Sequence, residues 1–283
     1  MKSYLQIVLR KAQSSTGFVV NGWLIPDDEV KDLVQRYQPL DLDEEQKGVA
    51  CKLEDVPKLI EQFVNLTLNR LCSEQRYSLT IEFFLPKEYL CTNIDSWQLT
   101  NSYFEDESYT VGTQYPVVIR SCERLEFRYL ETYRNQWCDN WDRVKSCWHE
   151  IPNVCDFEHL SELENCNWKR VINNLTEKLG LKLTCGLVEA HKKELFKSIL
   201  KASTPIAIWA RCNYSHWNQV SEIDELLLEG PLLELSEIIR KKRITADCED
   251  RPEEHLGYHL ALLWEDPYRL TPDAMAQLVP PRQ

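Results

Sequence analysis

Glycine is scarce in this chain, 8 of 283 residues, and its 13 prolines are scattered rather than clustered. No low-complexity or flexible linker therefore divides it. No apolar stretch approaches the length needed to cross a membrane. The opening MKSYLQIVLRKAQ has too short an apolar run for a signal peptide and no small-residue cleavage site, which points to a cytoplasmic protein. The eleven cysteines are an odd number, widely spaced and without a CxxC pair. In an unexported chain they read as reduced, mostly buried thiols rather than as a disulfide framework. Also missing are GxxxxGK[ST] and GxGxxG, the phosphate-cradling loops, and GxSxG and HExxH, the hydrolase signatures.

What is present is apolar and acidic. Hydrophobic residues make up 43% of the chain, with 9 Trp, 12 Tyr and 8 Phe, enough for a substantial core. The formal net charge is −12. Such a surface repels phosphate backbones and anionic lipid, so nucleic-acid and membrane partners are disfavoured. One basic run, Arg240-Lys241-Lys242-Arg243, follows the apolar-periodic stretch Leu226–Ile239. It reads as a solvated last helical turn, where cations complement the helix dipole, in preference to a local anion site.

The apolar runs Tyr4–Leu9 and Phe18–Leu24, with a polar turn between them, predict an opening β-hairpin. Asp27–Lys47 reads as a polar surface segment with a short helix. From Leu53 to Leu71, apolar residues recur mostly at helical spacing and predict an amphipathic helix. Four continuous apolar runs follow: LTIEFFLP (Leu79–Pro86), YPVVIR (Tyr115–Arg120), PIAIWAR (Pro205–Arg211) and LALLWEDP (Leu260–Pro267). Continuous runs belong to strands covered on both faces. Leu181–Val188 is a fifth candidate strand. Helical patterns lie at Leu125–Trp148, Asn167–Leu179, Lys192–Leu200 and Ile223–Ile239. The alternation predicts an α/β fold: a mixed, largely parallel sheet flanked by helices, forming one domain over residues 1–283. A Cys- and Trp-rich insertion at about 122–166 is expected to be helix and loop.

Candidate chemistry is sparse. Pro26-Asp27 followed by Glu29-Val30-Lys31 lacks the spacing of a metal-dependent nuclease. Cys147, His149, Cys155 and His159 could ligate zinc, but their C-x-H-x5-C-x3-H spacing fits no common zinc fold, so no metal or other cofactor is expected. His255 and His259 are four apart and lack the glutamate of a metallohydrolase. The informative charges are those inside the buried runs. Glu82 lies between Ile81 and Phe83, Arg120 and Arg211 each close a strand, and Glu265-Asp266 close the last. Buried charges are costly unless paired. Glu82, Arg120, Arg211 and Asp266 are therefore expected to converge in one polar cluster, read first as ion pairs fixing strand order. The other readings are a hydrolase or nuclease using Glu82 and Asp266, and a small-anion sensor using Arg120 and Arg211 at strand ends.

The four runs in this order, with Asp95-Ser96-Trp97 after the first, YPVVIRSCERL, TPIAIWAR and LALLWEDPYRL, resemble the C-terminal domain of the von Willebrand A–MoxR-associated proteins. The resemblance extends from YLQIVLR to WEDP. It implies a non-catalytic regulatory or adaptor module of bacterial, often cyanobacterial, conflict systems that act in defence. The implied partners are a MoxR-type AAA+ ATPase, a von Willebrand A protein and an effector such as a peptidase. In such proteins an effector is often fused to the domain. Here Met1 stands three residues before the first strand, which suggests either a piece of a longer chain or a member acting on effectors in trans.

Overall fold

The two apolar runs at the start form strands β1 (Lys2–Lys11) and β2 (Phe18–Ile25), antiparallel from Tyr4 opposite Ile25 to Lys11 opposite Phe18. The computed structural model describes residues 1–12, 17–42, 48–73, 76–100, 107–212 and 218–278. Helix α1 (Leu33–Arg36) stands in the acidic segment, and the short strands β3 (Gln38–Pro39) and β4 (Val49–Cys51) both add to β2. Helix α2 (Val56–Leu71) begins at Val56-Pro57, where proline costs no intrahelical hydrogen bond. It buries Val56, Ile60, Phe63, Val64, Thr67 and Leu71, the face that the sequence spacing marked.

Each of the four continuous runs is a strand: β5 (Ser78–Leu85), β8 (Val117–Ser121), β11 (Ile206–Ala210) and β12 (Leu260–Trp264). Every residue of β8, β11 and β12 is buried, as expected of strands covered on both faces. Between β5 and β8 lie a ribbon of β6 (Gln98–Thr100) and β7 (Ser108–Thr110) and helix α3 (Val111–Gln114). The rest of the chain forms α4 (Phe127–Ser146), β9 (Phe157–Leu160), α5 (Trp168–Glu177), β10 (Gly180–Leu183), α6 (Glu189–Lys201), α7 (Gln219–Leu228), α8 (Leu235–Asp247), α9 (Leu256–His259) and α10 (Pro272–Ala276). No described helix is long and apolar enough to cross a membrane.

Among the described residues ten strands make one sheet in the order β3-β2-β1-β5-β8-β12-β11-β10-β9, with β4 also on β2. The pairs β1–β5, β5–β8 and β8–β12 are parallel, as are β11–β10 and β10–β9; β12 runs antiparallel to β11. Beyond the antiparallel pairings of β2 with β1, β3 and β4 at one side, the sheet is thus two parallel blocks pointing in opposite directions, joined where β12 meets β11. One face carries Leu5, Ile7, Ile81, Phe83, Ile119 and Leu263 against α2, α5 and α6. The other carries Val118, Ile208 and Leu262 against Trp141 and Val144 of α4 and the apolar faces of α7 and α8.

Three local expectations are corrected. The single helix expected over Ile223–Ile239 is two, because Gly230 and Pro231 intervene and the residue before proline is steered away from helix. The interval 122–166 is not all helix and loop: Phe157–Leu160 is the edge strand β9, too short for its alternation to show. None of the eleven free cysteines is fully buried; eight are half-buried, and Cys72, Cys155 and Cys248 are exposed. Many stand just past the ends of elements, as Cys72 does after α2, Cys122 after β8 and Cys212 after β11.

Candidate functional site

Strand alternation places three polar side chains in the layer between the sheet and α4. Gln6 of β1 is in register with Glu82 of β5, and Arg120 of β8 is in register with Phe84. All three side chains point to the same face, and all are fully buried. Gln6 Nε2 donates to Glu82 Oε2 at 2.9 Å, and Arg120 Nη1 lies 3.2 Å from the same oxygen. The other Glu82 oxygen accepts from Arg269 Nε at 2.8 Å. Burial alone would raise the Glu82 carboxyl, but Arg269 and Arg120, helped by Gln6, outweigh it and hold the group below the usual carboxylate range.

The segment 265–271 after β12 lies across this layer and is tied down by its own carbonyls. Arg120 donates to the carbonyls of Asp266 and Arg269. Trp137 Nε1 donates to that of Glu265 at 2.8 Å, and Tyr37 to that of Leu270 at 2.6 Å. The Glu265 carboxylate accepts from Ser121 N at 2.8 Å and pairs with Arg124 Nε at 3.3 Å and Arg120 Nε at 3.6 Å. Here burial exceeds the pull of the two arginines and raises the Glu265 carboxyl. Asp266 pairs through its carboxylate with Arg269 Nη1 at 3.1 Å. Three guanidinium groups (Arg120, Arg124 and Arg269) thus meet three carboxylates (Glu82, Glu265 and Asp266), all within the buried set. Aromatic faces complete the enclosure: the Arg120 guanidinium lies 4.5 Å from the Phe84 ring centre, that of Arg124 4.7 Å from Trp137, and that of Arg269 3.7 Å from Tyr4.

Of the four residues expected to converge, the structure brings together Glu82, Arg120 and Asp266. Arg211 is elsewhere. Because β11 runs antiparallel to β12, its last residues stand at the opposite end of the sheet from the last residues of β8 and β12. There Arg211 grips Asp95 with both terminal nitrogens and donates to Asn93 Oδ1 at 2.8 Å. Arg243 Nε lies 3.0 Å from the same carboxylate. Asp95 is held below its usual range despite a large opposing effect of burial, chiefly by Arg211 and then Arg243. Glycine makes the approach possible: a Cβ on Gly112 would stand 2.8 Å from Asp95 Cβ and 2.9 Å from Arg243 Cδ. On the far side, a Cβ on Gly257 would meet the Lys242 carbonyl oxygen at 2.1 Å, so α9 can pack on α8 only there.

This second cluster also corrects the reading of the basic run. Helix α8 continues to Asp247, so Arg240–Arg243 is not its last turn. Arg240 forks onto Glu237 at 2.8 and 2.7 Å, Lys242 pairs with Glu229, and Arg243 is only 5% exposed.

Sequence reasoning missed Gln6, Arg124, Glu265 and Arg269 as members of the first cluster and Asp95 and Arg243 as members of the second. For Gln6 the signal was present: it interrupts YLQIVL as Glu82 interrupts LTIEFF. Cys147 ends α4 half-buried, while His149, Cys155 and His159 are exposed, and His159 Nε2 lies 2.7 Å from Thr184 Oγ1. Among the described residues no three Cys, His, Asp or Glu side chains are grouped to hold a metal.

Comparison with curated proteins finds no similar one. The vWA-MoxR associated protein C-terminal domain model matches residues 16–267, nearly the whole chain; the match takes in the Asp95 cluster and Glu82, Arg120, Arg124, Glu265 and Asp266 of the other, while β1 with Gln6, and Arg269, lie outside it. The chain belongs to the family of vWA-MoxR associated protein C-terminal domains, whose name ties it to von Willebrand A and MoxR proteins.

Proposed function

We propose that this chain is a non-catalytic regulatory module that links a MoxR-type AAA+ ATPase and a von Willebrand A protein to an effector, such as a peptidase, in a bacterial conflict system acting in defence. Membership of the family supports the first two partners; the effector and the defence role follow from what the resemblance implies. The observation that carries the non-catalytic part is the state of Glu82. Its side chain has no exposed surface, both oxygens are engaged by Arg269, Arg120 and Gln6, and its acidity is increased. A general base must reach substrate with a free lone pair. A carboxylate held this way is a fastener of strands instead, which argues against a hydrolase or nuclease built on Glu82 and Asp266. Arg120 is equally enclosed, which argues against an anion sensor at that position.

Under this reading the acidic surface, −12 overall, favours encounter with a basic partner face. The test is recovery of the tagged chain from its native cells, with mass spectrometry of what accompanies it. Stoichiometric AAA+ ATPase, von Willebrand A protein or peptidase is the expected result. Recovery of the chain alone would overturn the proposal.

A further inference from the structure

Strand alternation carries the face that holds Gln6, Glu82 and Arg120 on towards the beginnings of the strands. There it presents Tyr4 and Lys2 of β1, Thr80 and Ser78 of β5 and Val118 of β8. Helix α4 has ended at Ser146 and α8 starts only at Leu235, so Tyr4 and Thr80 stay half-buried and Ser78 is exposed. The result is a slot of about 290 Å³ with Tyr4, Thr80 and Val118 as its floor and Trp148, Leu233 and Trp264 as its wall. Trp148 and Trp264 meet edge to face, 5.8 Å between ring centres.

Leu233 N donates to the Trp148 carbonyl at 3.0 Å and Leu232 N to the Glu150 carbonyl at 3.2 Å, so residues 148–150 run beside 232–234 as one rim. Ile151, 58% exposed, continues that rim, and Tyr77, 38% exposed, precedes Ser78 on the strand side. Apolar groups left exposed around a groove and rimmed by charge mark an interaction surface. Trp and Tyr are the residues on which protein interfaces concentrate their binding energy. Charge names the kind of partner. Arg269, which also lines the slot, is spent on Glu82, Asp266 and Asp28, and Glu237 is spent on Arg240. Glu150 and Glu234 remain, both exposed and in no ion pair among the described residues, with Lys2 alone opposite them. The rim beside the two tryptophans is therefore acidic, as is the chain as a whole.

We propose that this slot is the docking surface for the protein partner: the partner inserts one large apolar side chain against Trp148 and Trp264 and sets a lysine or arginine beside it, against Glu150 and Glu234. Such a surface presupposes the adaptor role and gives it a place on the fold.

The test is titration of the full chain with the purified MoxR-type ATPase and, separately, with the von Willebrand A protein. One of the two is expected to bind. Glu150→Lys combined with Glu234→Lys should weaken that binding about tenfold or more, the scale of an interface hot spot, and flatten its dependence on salt. Thr80→Tyr, which fills the slot from its floor, should weaken it comparably. Lys193→Glu, exposed on α6 behind the other face of the sheet, should leave it unchanged. Binding of the wild type by neither protein overturns the adaptor reading and this surface with it. Binding that survives both the double charge reversal and Thr80→Tyr leaves the adaptor role standing and overturns the slot. Hydrogen–deuterium exchange of the wild-type complex supplies a readout that no misfolded variant can confuse. Slowed exchange at residues 148–151 and 232–237 is expected, and protection confined to other segments sinks the surface.

Discussion

Glu82 and Arg120 meet diagonally. In register Glu82 faces Val118 and Arg120 faces Phe84, and the guanidinium reaches back to put Nη1 3.2 Å from Glu82 Oε2. The same guanidinium holds two carbonyls of the segment after β12. One side chain therefore ties β8 to its neighbour β5 and to the cover above them.

Arg120→Ala leaves Glu82 with one guanidinium partner fewer and frees two carbonyls. Removing one partner of a buried pair costs on the order of 3–5 kcal/mol. Urea unfolding should show that loss, with the slope of the transition unchanged. A variant melting within a degree or two of wild type would show that the pair contributes no net stability.

Arg211 belongs with Asp95, and a double-mutant cycle measures this. Arg211→Ala and Asp95→Ala should be strongly non-additive, by about 0.5–3 kcal/mol. Arg211→Ala combined with Glu82→Gln should add within about 0.5 kcal/mol, since the two lie at opposite ends of the sheet. Coupling between Arg211 and Glu82 would contradict the antiparallel joint at β12.

The two buried glutamates respond to pH with opposite sign. Glu82 is more acidic in the folded state, so its contribution is present above the unfolded value of about 4.3 and is lost as pH falls through its lower folded value. Glu265 is less acidic when folded, so its contribution is full below that unfolded value and is lost as pH rises towards its folded value. Unfolding free energies measured from about pH 3 to about pH 7 should fall less steeply on the acid side in Glu82→Gln than in wild type. In Glu265→Gln the decline on rising from about pH 4 should disappear. Identical profiles for all three proteins would contradict both assignments.

Gly112→Ala places a methyl group where Asp95 Cβ and Arg243 Cδ already stand within 3 Å. Overpacking of this kind costs about 1–3 kcal/mol. A calorimetric Tm equal to that of wild type would mean that the Asp95 turn can move aside.

Element type was legible wherever a local pattern carried it. The continuous runs at Leu79, Tyr115, Pro205 and Leu260 announced strands covered on both faces, and the helical spacing of Ile60, Phe63 and Val64 announced α2. Glu82 was found because a charge among Ile81, Phe83 and Phe84 has nowhere to go but a partner. Strand direction has no such local signature. Nothing in PIAIWAR says that it runs against LALLWEDP, and that reversal is what carried Arg211 to the other end of the sheet. Gly230-Pro231 was in plain view, yet the apolar periodicity on either side of it kept phase and concealed the break.

The position of β12 bears on how the protein is made. This strand, the last in the chain among those described, lies between β8 and β11 and is the element that joins the two blocks of the sheet. Until residues 260–264 have been synthesised, Val117–Ser121 and Ile206–Ala210 each present an open, apolar edge that no partner covers. Such edges invite pairing between nascent chains, and contacts this distant in sequence form slowly. The burden on cellular chaperones should therefore concentrate in the interval between synthesis of β11 and emergence of β12, and be relieved at once when a single five-residue segment slots into place.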